Sequence, residues 1–172
     1  MIFSIDVQYD ETKATAAGIL FPHWETNEIA QTIVKEIGNI AQYEPGFFYK
    51  RELPCIMSLL KDINCNLEAI VIDGYVTLGQ DKQPGLGMHL FNSIGQAAPI
   101  IGVAKRKFLH TPPECEVFRG NSKNPLYVTT AGISLSEGKK LVSSMHGIFR
   151  IPTLLKNVDQ LCRGHYTGSK ID

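Results

Sequence analysis

Several things are missing from this chain of 172 residues. No apolar run approaches the length of a bilayer span, so a membrane-crossing helix is not expected. The opening MIFSID has no basic segment ahead of an apolar stretch, and no secretory signal is expected. Cysteine is sparse: Cys55, Cys65, Cys115 and Cys162 are scattered without a C-x-x-C pair. That argues against a zinc site and leaves buried free thiols in a reducing cytoplasm as the expectation. There are no repeats, no low-complexity tract and no net charge. The zero is a sum of unlike halves. Residues 1–100 hold twelve Asp/Glu and six Lys/Arg, and residues 101–172 hold five and eleven. An acidic front and a basic back suit a metal-dependent enzyme acting on a polyanion, although uneven charge also arises without a function.

What is present is ordinary for a globular domain, with 44% hydrophobic and 20% charged residues, and one domain over residues 1–172 is expected. Residues 2–9 and 13–21 read as strands joined by the polar turn YDET. Residues 28–38 fit both periods and are taken as a third antiparallel strand. Pro54 is acceptable only in the first turn of a helix, which places a helix from about Glu52 to Asp62. LEAIVI, residues 67–72, reads as a buried strand ending at Asp73-Gly74. Next are a glycine-rich loop at 74–87, a helix at 86–96 and a buried strand, PIIGVAK, at 99–105. Two short strands near 115–119 and 125–130 precede a helix opened by the capping box Ser134-x-x-Glu137. Pro152 opens a last helix to about 163. An antiparallel front joined to parallel strands through helices predicts an α/β fold with a mixed sheet, in the ribonuclease-H-like order.

Three acids stand out by position. Asp6 lies in a strand among Phe3, Ile5 and Val7, where an unpaired carboxylate would be costly to bury. Glu52 opens a helix, where it would also suit the helix dipole. Asp73 ends a strand, where open α/β sheets place their sites, and Asp-Gly is also a plain turn signal. Converging carboxylates are what hard divalent cations require. On the last helix, Leu155, Asp159 and Cys162 share one face by their spacing, so Asp159 is either a fourth carboxylate at such a site or an acid at the helix rim.

The segments SIDVQY, YEPGFFYKRELP, IVIDGY and PIIGVAK, with PLYVTTAG and RIPTLLKNVDQL after them, together resemble endonuclease V, a Mg²⁺-dependent nuclease family acting on inosine-containing nucleic acid. The resemblance runs over nearly the whole chain. It implies a ribonuclease-H-like fold, with Asp6, Glu52 and Asp73 holding Mg²⁺, for which Mn²⁺ is also suited. It places an Asp at the position of Asp159, puts Lys105 as a fixed charge near the scissile phosphate, and sets Gly74 beside the substrate. The loop containing Tyr43, Pro45 and Gly46 would be the wedge that fills the place of an extruded base. The implied partner is DNA, with RNA as the other choice.

The chain also departs from the family pattern. After Asp73 it reads DGYVTLGQDKQPGLG, without the family's His-Pro-Arg cluster and about two residues longer. His89 stands two residues from the family's helix histidine, as a shifted substitute or an ordinary helix residue. Ala131-Gly132 replaces a Gly-His pair, and because the sequence opens on its first strand the family's N-terminal helical extension is not expected. The expected function is a metal-dependent endonuclease cutting near deaminated bases. The alternatives are a nuclease directed by RNA or structure without inosine preference, and a nucleic-acid-binding homologue that cuts weakly.

Overall fold

Alternating side chains in the first nine residues serve two apolar layers at once. The computed structural model describes residues 1–10, 12–38 and 47–165. Strand β1, Ile2–Tyr9, lies in the middle of a seven-stranded sheet. It pairs antiparallel with β2, Lys13–Phe21, which pairs antiparallel with β3, Gln31–Gly38. On its other side β1 runs parallel to β4, Ala69–Asp73, and β4 parallel to β7, Ile100–Ala104. The sheet ends with β9, Leu126–Ala131, and β8, Glu116–Val117, both antiparallel to their neighbours. The spatial order β3-β2-β1-β4-β7-β9-β8 joins an antiparallel front to a parallel centre, as the sequence predicts.

Each face of the sheet carries its own helices, the arrangement that buries a two-sided apolar strand. Phe3, Ile5, Ile70 and Ile72 pack with Ile56 and Leu59 of α1, Tyr49–Leu60, and Leu90 of α2, Leu86–Ser93. Ile2, Val71, Ile101 and Val103 pack on the other side with Val142 of α3, Leu135–Ser144, and Leu154 and Val158 of α4, Thr153–Cys162. The Ser134 hydroxyl accepts from the Glu137 N–H at 3.2 Å, the cap its sequence foretells. Among the described residues no helix is long and apolar enough to cross a membrane.

Three details differ from the sequence reading. Helix α1 begins at Tyr49, so Pro54 is its sixth residue rather than part of its first turn. Pro54 brings no N–H to that turn, and the buried Cys55, Ile56 and Leu59 carry the helix through it. The segment after Asp73 is not a plain loop: it holds a small hairpin of β5, Thr77–Leu78, and β6, Gln83–Pro84. Cys65 is exposed, whereas Cys55, Cys115 and Cys162 are buried, and all four are free thiols.

Candidate active site

The register of the central strands gathers the acids. Pairing of β1 with β4 closes at Ile5 and Ile72, so Asp6 and Asp73 are the next residues on two neighbouring parallel strands. Alternation turns both toward the α4 layer, in line with Ile2 and Val71 of the core on that side. From α4, Asp159 points back one turn beyond the buried Leu155. Asp6, Asp73 and Asp159 each offer an oxygen, and the three lie within 4.8 Å of one another. Glu52 comes from the opposite layer. It is half-buried, one turn ahead of the buried Ile56 of α1, and lines a small pocket with Asp6 and Asp73. Four carboxylates thus converge at one end of the sheet from two strands and two helices.

This is a crowded place for negative charge. Burial, and then the Asp73 charge, lifts Asp6 to about 7, against the pull of Lys105 and of the Val7 N–H, which donates to Asp6 Oδ1 at 2.8 Å. Burial, then Asp6 and Asp73, lifts Glu52 to about 7. Lys105 stands among them, its Nζ 2.6 Å from Asp73 Oδ2 and 3.3 Å from Asp159 Oδ1. Burial disfavours the Lys105 charge, but Asp73 and then Asp159 outweigh it and hold the ammonium above its usual range. Asp159 shows the converse: burial opposes its charge, and Lys105, with Arg163 Nε at 3.2 Å, holds it below the usual carboxylate range.

Lys105 and Arg163 serve Asp73 and Asp159, while burial and the neighbouring acids raise the other two carboxylates to about 7. An all-oxygen donor set short of cations fits a hard divalent ion such as Mg²⁺ or Mn²⁺. The nearby Cys162 thiol is pushed to about 12 by burial, then by Asp6 and Asp159, so it offers no thiolate to a softer metal. Asp73 remains open to solvent, which leaves the centre accessible to a large substrate.

The other residues singled out from sequence fall unevenly. Gly74 comes directly after Asp73, and its N–H donates to the Val103 carbonyl at 3.3 Å. Its own carbonyl lies against Gly102 of β7, where a Cβ would sit 2.5 Å from that oxygen and 2.9 Å from the Val76 nitrogen. Tyr43, Pro45 and Gly46 lie outside the described residues. His89 stacks on Tyr49 with ring centroids 3.6 Å apart, joining α2 to the start of α1. Two positioning contacts have no signal in the sequence. The Tyr75 hydroxyl donates to the Arg106 carbonyl at 2.8 Å and accepts from the Phe108 N–H at 3.0 Å, tying the segment after Asp73 to the one after Lys105. The Arg150 guanidinium donates to the carbonyls of Lys105 and, at 2.7 Å, Pro125.

Known proteins share this fold. The family model described as Endonuclease V matches residues 1–141, a span holding Asp6, Glu52, Asp73 and Lys105. Asp159 lies beyond it, so its place rests on the geometry above. The chain is 28% identical over 166 residues to endonuclease V of Pyrococcus horikoshii, covering 95% of this chain and 73% of that protein. The crystal structure of Bacillus subtilis endonuclease V superposes with a TM-score of 0.78 at 20% identity, covering 95% of this chain and 79% of that one. Endonuclease V of Ciona intestinalis, solved in complex with a 24mer DNA containing an inosine followed by a ribo-adenosine, superposes with a TM-score of 0.74 at 18% identity, covering 95% and 84%. At these identities the structural likeness establishes the fold.

Proposed function

We propose, since this chain belongs to the endonuclease V family, that it is a divalent-metal-dependent endonuclease that hydrolyses phosphodiester bonds near inosine or other deaminated bases. The observation that carries the reading is the set of four convergent carboxylates around Lys105 at the end of the parallel strands. Asp6, Asp73 and Asp159, with Glu52 from the other layer, would hold Mg²⁺, or Mn²⁺ in its place; the ion supplies the charge that activates a water and steadies the leaving oxygen.

The chain's own residues do the rest. Asp73 and Lys105 form the solvent-facing edge, where a backbone phosphate arrives beside a fixed positive charge. The Tyr75 bridge holds the two segments that carry them in one relation. Hydrolysis joins the water oxygen to phosphorus and releases a 3′-hydroxyl and a 5′-phosphate. Tyr43, Pro45 and Gly46 would act as the wedge beside an extruded base, with Gly74 at the substrate. The inosine preference is supported by the family and by the inosine-containing DNA of the Ciona complex. The free thiols suit a reducing compartment, and we place the protein in the cytoplasm.

One observation favours a second reading. The segment after Asp73 is a hairpin bearing Lys82 where the family carries its His-Pro-Arg cluster, which points to a nuclease of altered base preference, on RNA or on a structured strand. The deciding experiment is cleavage of an end-labelled single strand carrying one inosine, in Mg²⁺ and in Mn²⁺, beside an all-adenosine strand and an Asp6→Asn variant. Cutting of the inosine strand alone, lost in the variant, is the expected result. Equal cutting of both strands supports the second reading. No cutting by the folded protein in either metal overturns both.

A further inference from the structure

A groove leaves the acid centre along the outer side of α4. Asp159 forms its inner end, and Lys156 lies one turn back on the same helix. The facing wall is built from Asn121, Ser122 and a loop tip, Ile148–Phe149.

The tip combines two features: it is the most exposed of three adjacent apolar pairs on the described surface, beside Phe47–Phe48 and Phe108–Leu109, and it is firmly held. Ile148 and Phe149 are 80% and 71% exposed, side by side. Single apolar residues on a surface need no explanation, but an adjacent pair beside a site does. The loop that carries them is also firmly held. Arg119, only 7% exposed, extends beneath it and donates to four carbonyls: Met145, Gly147 at 3.1 Å, Phe149 at 2.9 Å and Arg150 at 3.3 Å. Gly120, at φ +57°, passes so near the Ile148 carbonyl that a Cβ there would strike the oxygen. The Thr153 N–H closes the base of the loop on the His146 carbonyl at 2.9 Å, and the His146 ring bonds the Thr153 hydroxyl at 2.9 Å. A buried guanidinium spread over four carbonyls fixes a loop whose two tip side chains join neither core. The fold holds them outward in one place.

We infer that this groove is a second contact for the nucleic-acid strand, in which a base stacks on the Phe149 ring against Ile148 while Lys156 meets a backbone phosphate. The inference rests on the nuclease reading above. It commits to a single strand for three reasons. The groove is continuous with the acid centre at Asp159. That acid already carries Lys105 and Arg163, which leaves two cations of the lining, Arg150 and the exposed Lys156, to make the groove positive. An aromatic face beside a cation and small polar groups is the surface that binds unpaired bases without regard to sequence.

The test is binding of fluorescently labelled single strands, each with one inosine, monitored by anisotropy with Ca²⁺ replacing Mg²⁺. Two series lengthen the strand by one to eight nucleotides, one series on each side of the scissile bond. Wild type should gain affinity along one series. Phe149→Ala should lose about tenfold to a hundredfold of that gain, and Phe149→Trp should keep it. The side chain is exposed, so the variants should fold, as circular dichroism would verify. If Phe149→Ala tracks wild type along both series, the groove inference is overturned and the nuclease reading stands. If wild type binds no strand of any length, that reading fails and takes this inference with it. Self-association of wild type that Phe149→Ala abolishes would mark the tip as a contact between copies and would also overturn it.

Discussion

Asp6 and Glu52 set the behaviour of the metal-free protein. Burial first, then neighbouring acids, raises both to about 7 in the folded state. In the unfolded chain they ionise near about 4. Between those values the folded chain keeps protons that the unfolded chain has lost, so stability falls as pH rises. Asp10 and Asp159 are held low and act with the opposite sign, but below about pH 4. Metal-free Tm should therefore drop from about pH 4 to about pH 7, and Asp6→Asn should flatten that slope while abolishing cleavage. Mg²⁺ added at pH 8 should raise Tm more in wild type than in Asp6→Asn, because the ion binds the folded state alone. Scanning calorimetry across pH, with and without the ion, reads both; a wild-type Tm that rises between pH 4 and pH 7 would contradict the assignment.

At the level of elements, Gly102 of β7 makes room for the segment after Asp73. A methyl there would press on two backbone atoms, the Gly74 oxygen and the Val76 nitrogen, neither of which is a flexible side-chain end. Gly102→Ala should displace that segment, break the 2.8 Å bond from the Val76 N–H to Thr129 Oγ1 and cost about 1–3 kcal/mol of stability. Ser134→Ala removes the cap of α3 at about 1 kcal/mol. Denaturation should show comparable losses, yet only Gly102→Ala should lower cleavage per folded molecule; equal activities would show that the segment after Asp73 does not position the site. The same elements show how far sequence alone reaches. β1 is legible to its end because alternation runs from Phe3 to Tyr9 up to a polar turn, and β2 because a continuous apolar run, Ala16–Phe21, follows that turn. Asp73 is legible as the last residue of an apolar strand, and Asp159 by its helical spacing to Leu155 and Cys162. The β5–β6 hairpin is not, since two-residue strands are too short to display a period. The start of α1 escapes because a proline rule outweighs the buried stripe. The grip of Arg119 on the 145–150 loop has no local signal at all, because it joins residues about thirty positions apart through backbone carbonyls that any sequence supplies.

For the whole molecule, the zero net charge conceals a division between the two halves of the chain. Residues 1–100, with a charge of −6, supply β1 to β6 and the first two helices, and residues 101–172, with +6, supply nearly all of the later strands and helices. Within the sheet the two parts join where β4 lies beside β7, and there Asp73 of the acidic part touches Lys105 of the basic part; α4 of the basic part also packs on β1 and β2. A polyanion should therefore bind across the basic part with its scissile phosphate at the border, and its affinity should fall with salt although the protein as a whole is neutral. Each phosphate contacted on a single strand contributes about −0.7 to the slope of log K against log salt. Lys156→Ala should thus reduce the slope by about 0.7 and leave the ratio of inosine-strand to adenosine-strand affinity unchanged, because a phosphate contact carries no base information. Lys13→Ala, which breaks an ion pair with Glu36 in the acidic part, should leave the slope as it was. Titrations between 50 and 200 mM salt, roughly the range in which counterion release is large, separate the cases. A slope near zero in wild type would mean that net charge, rather than its division across the β4–β7 border, governs the encounter with the strand.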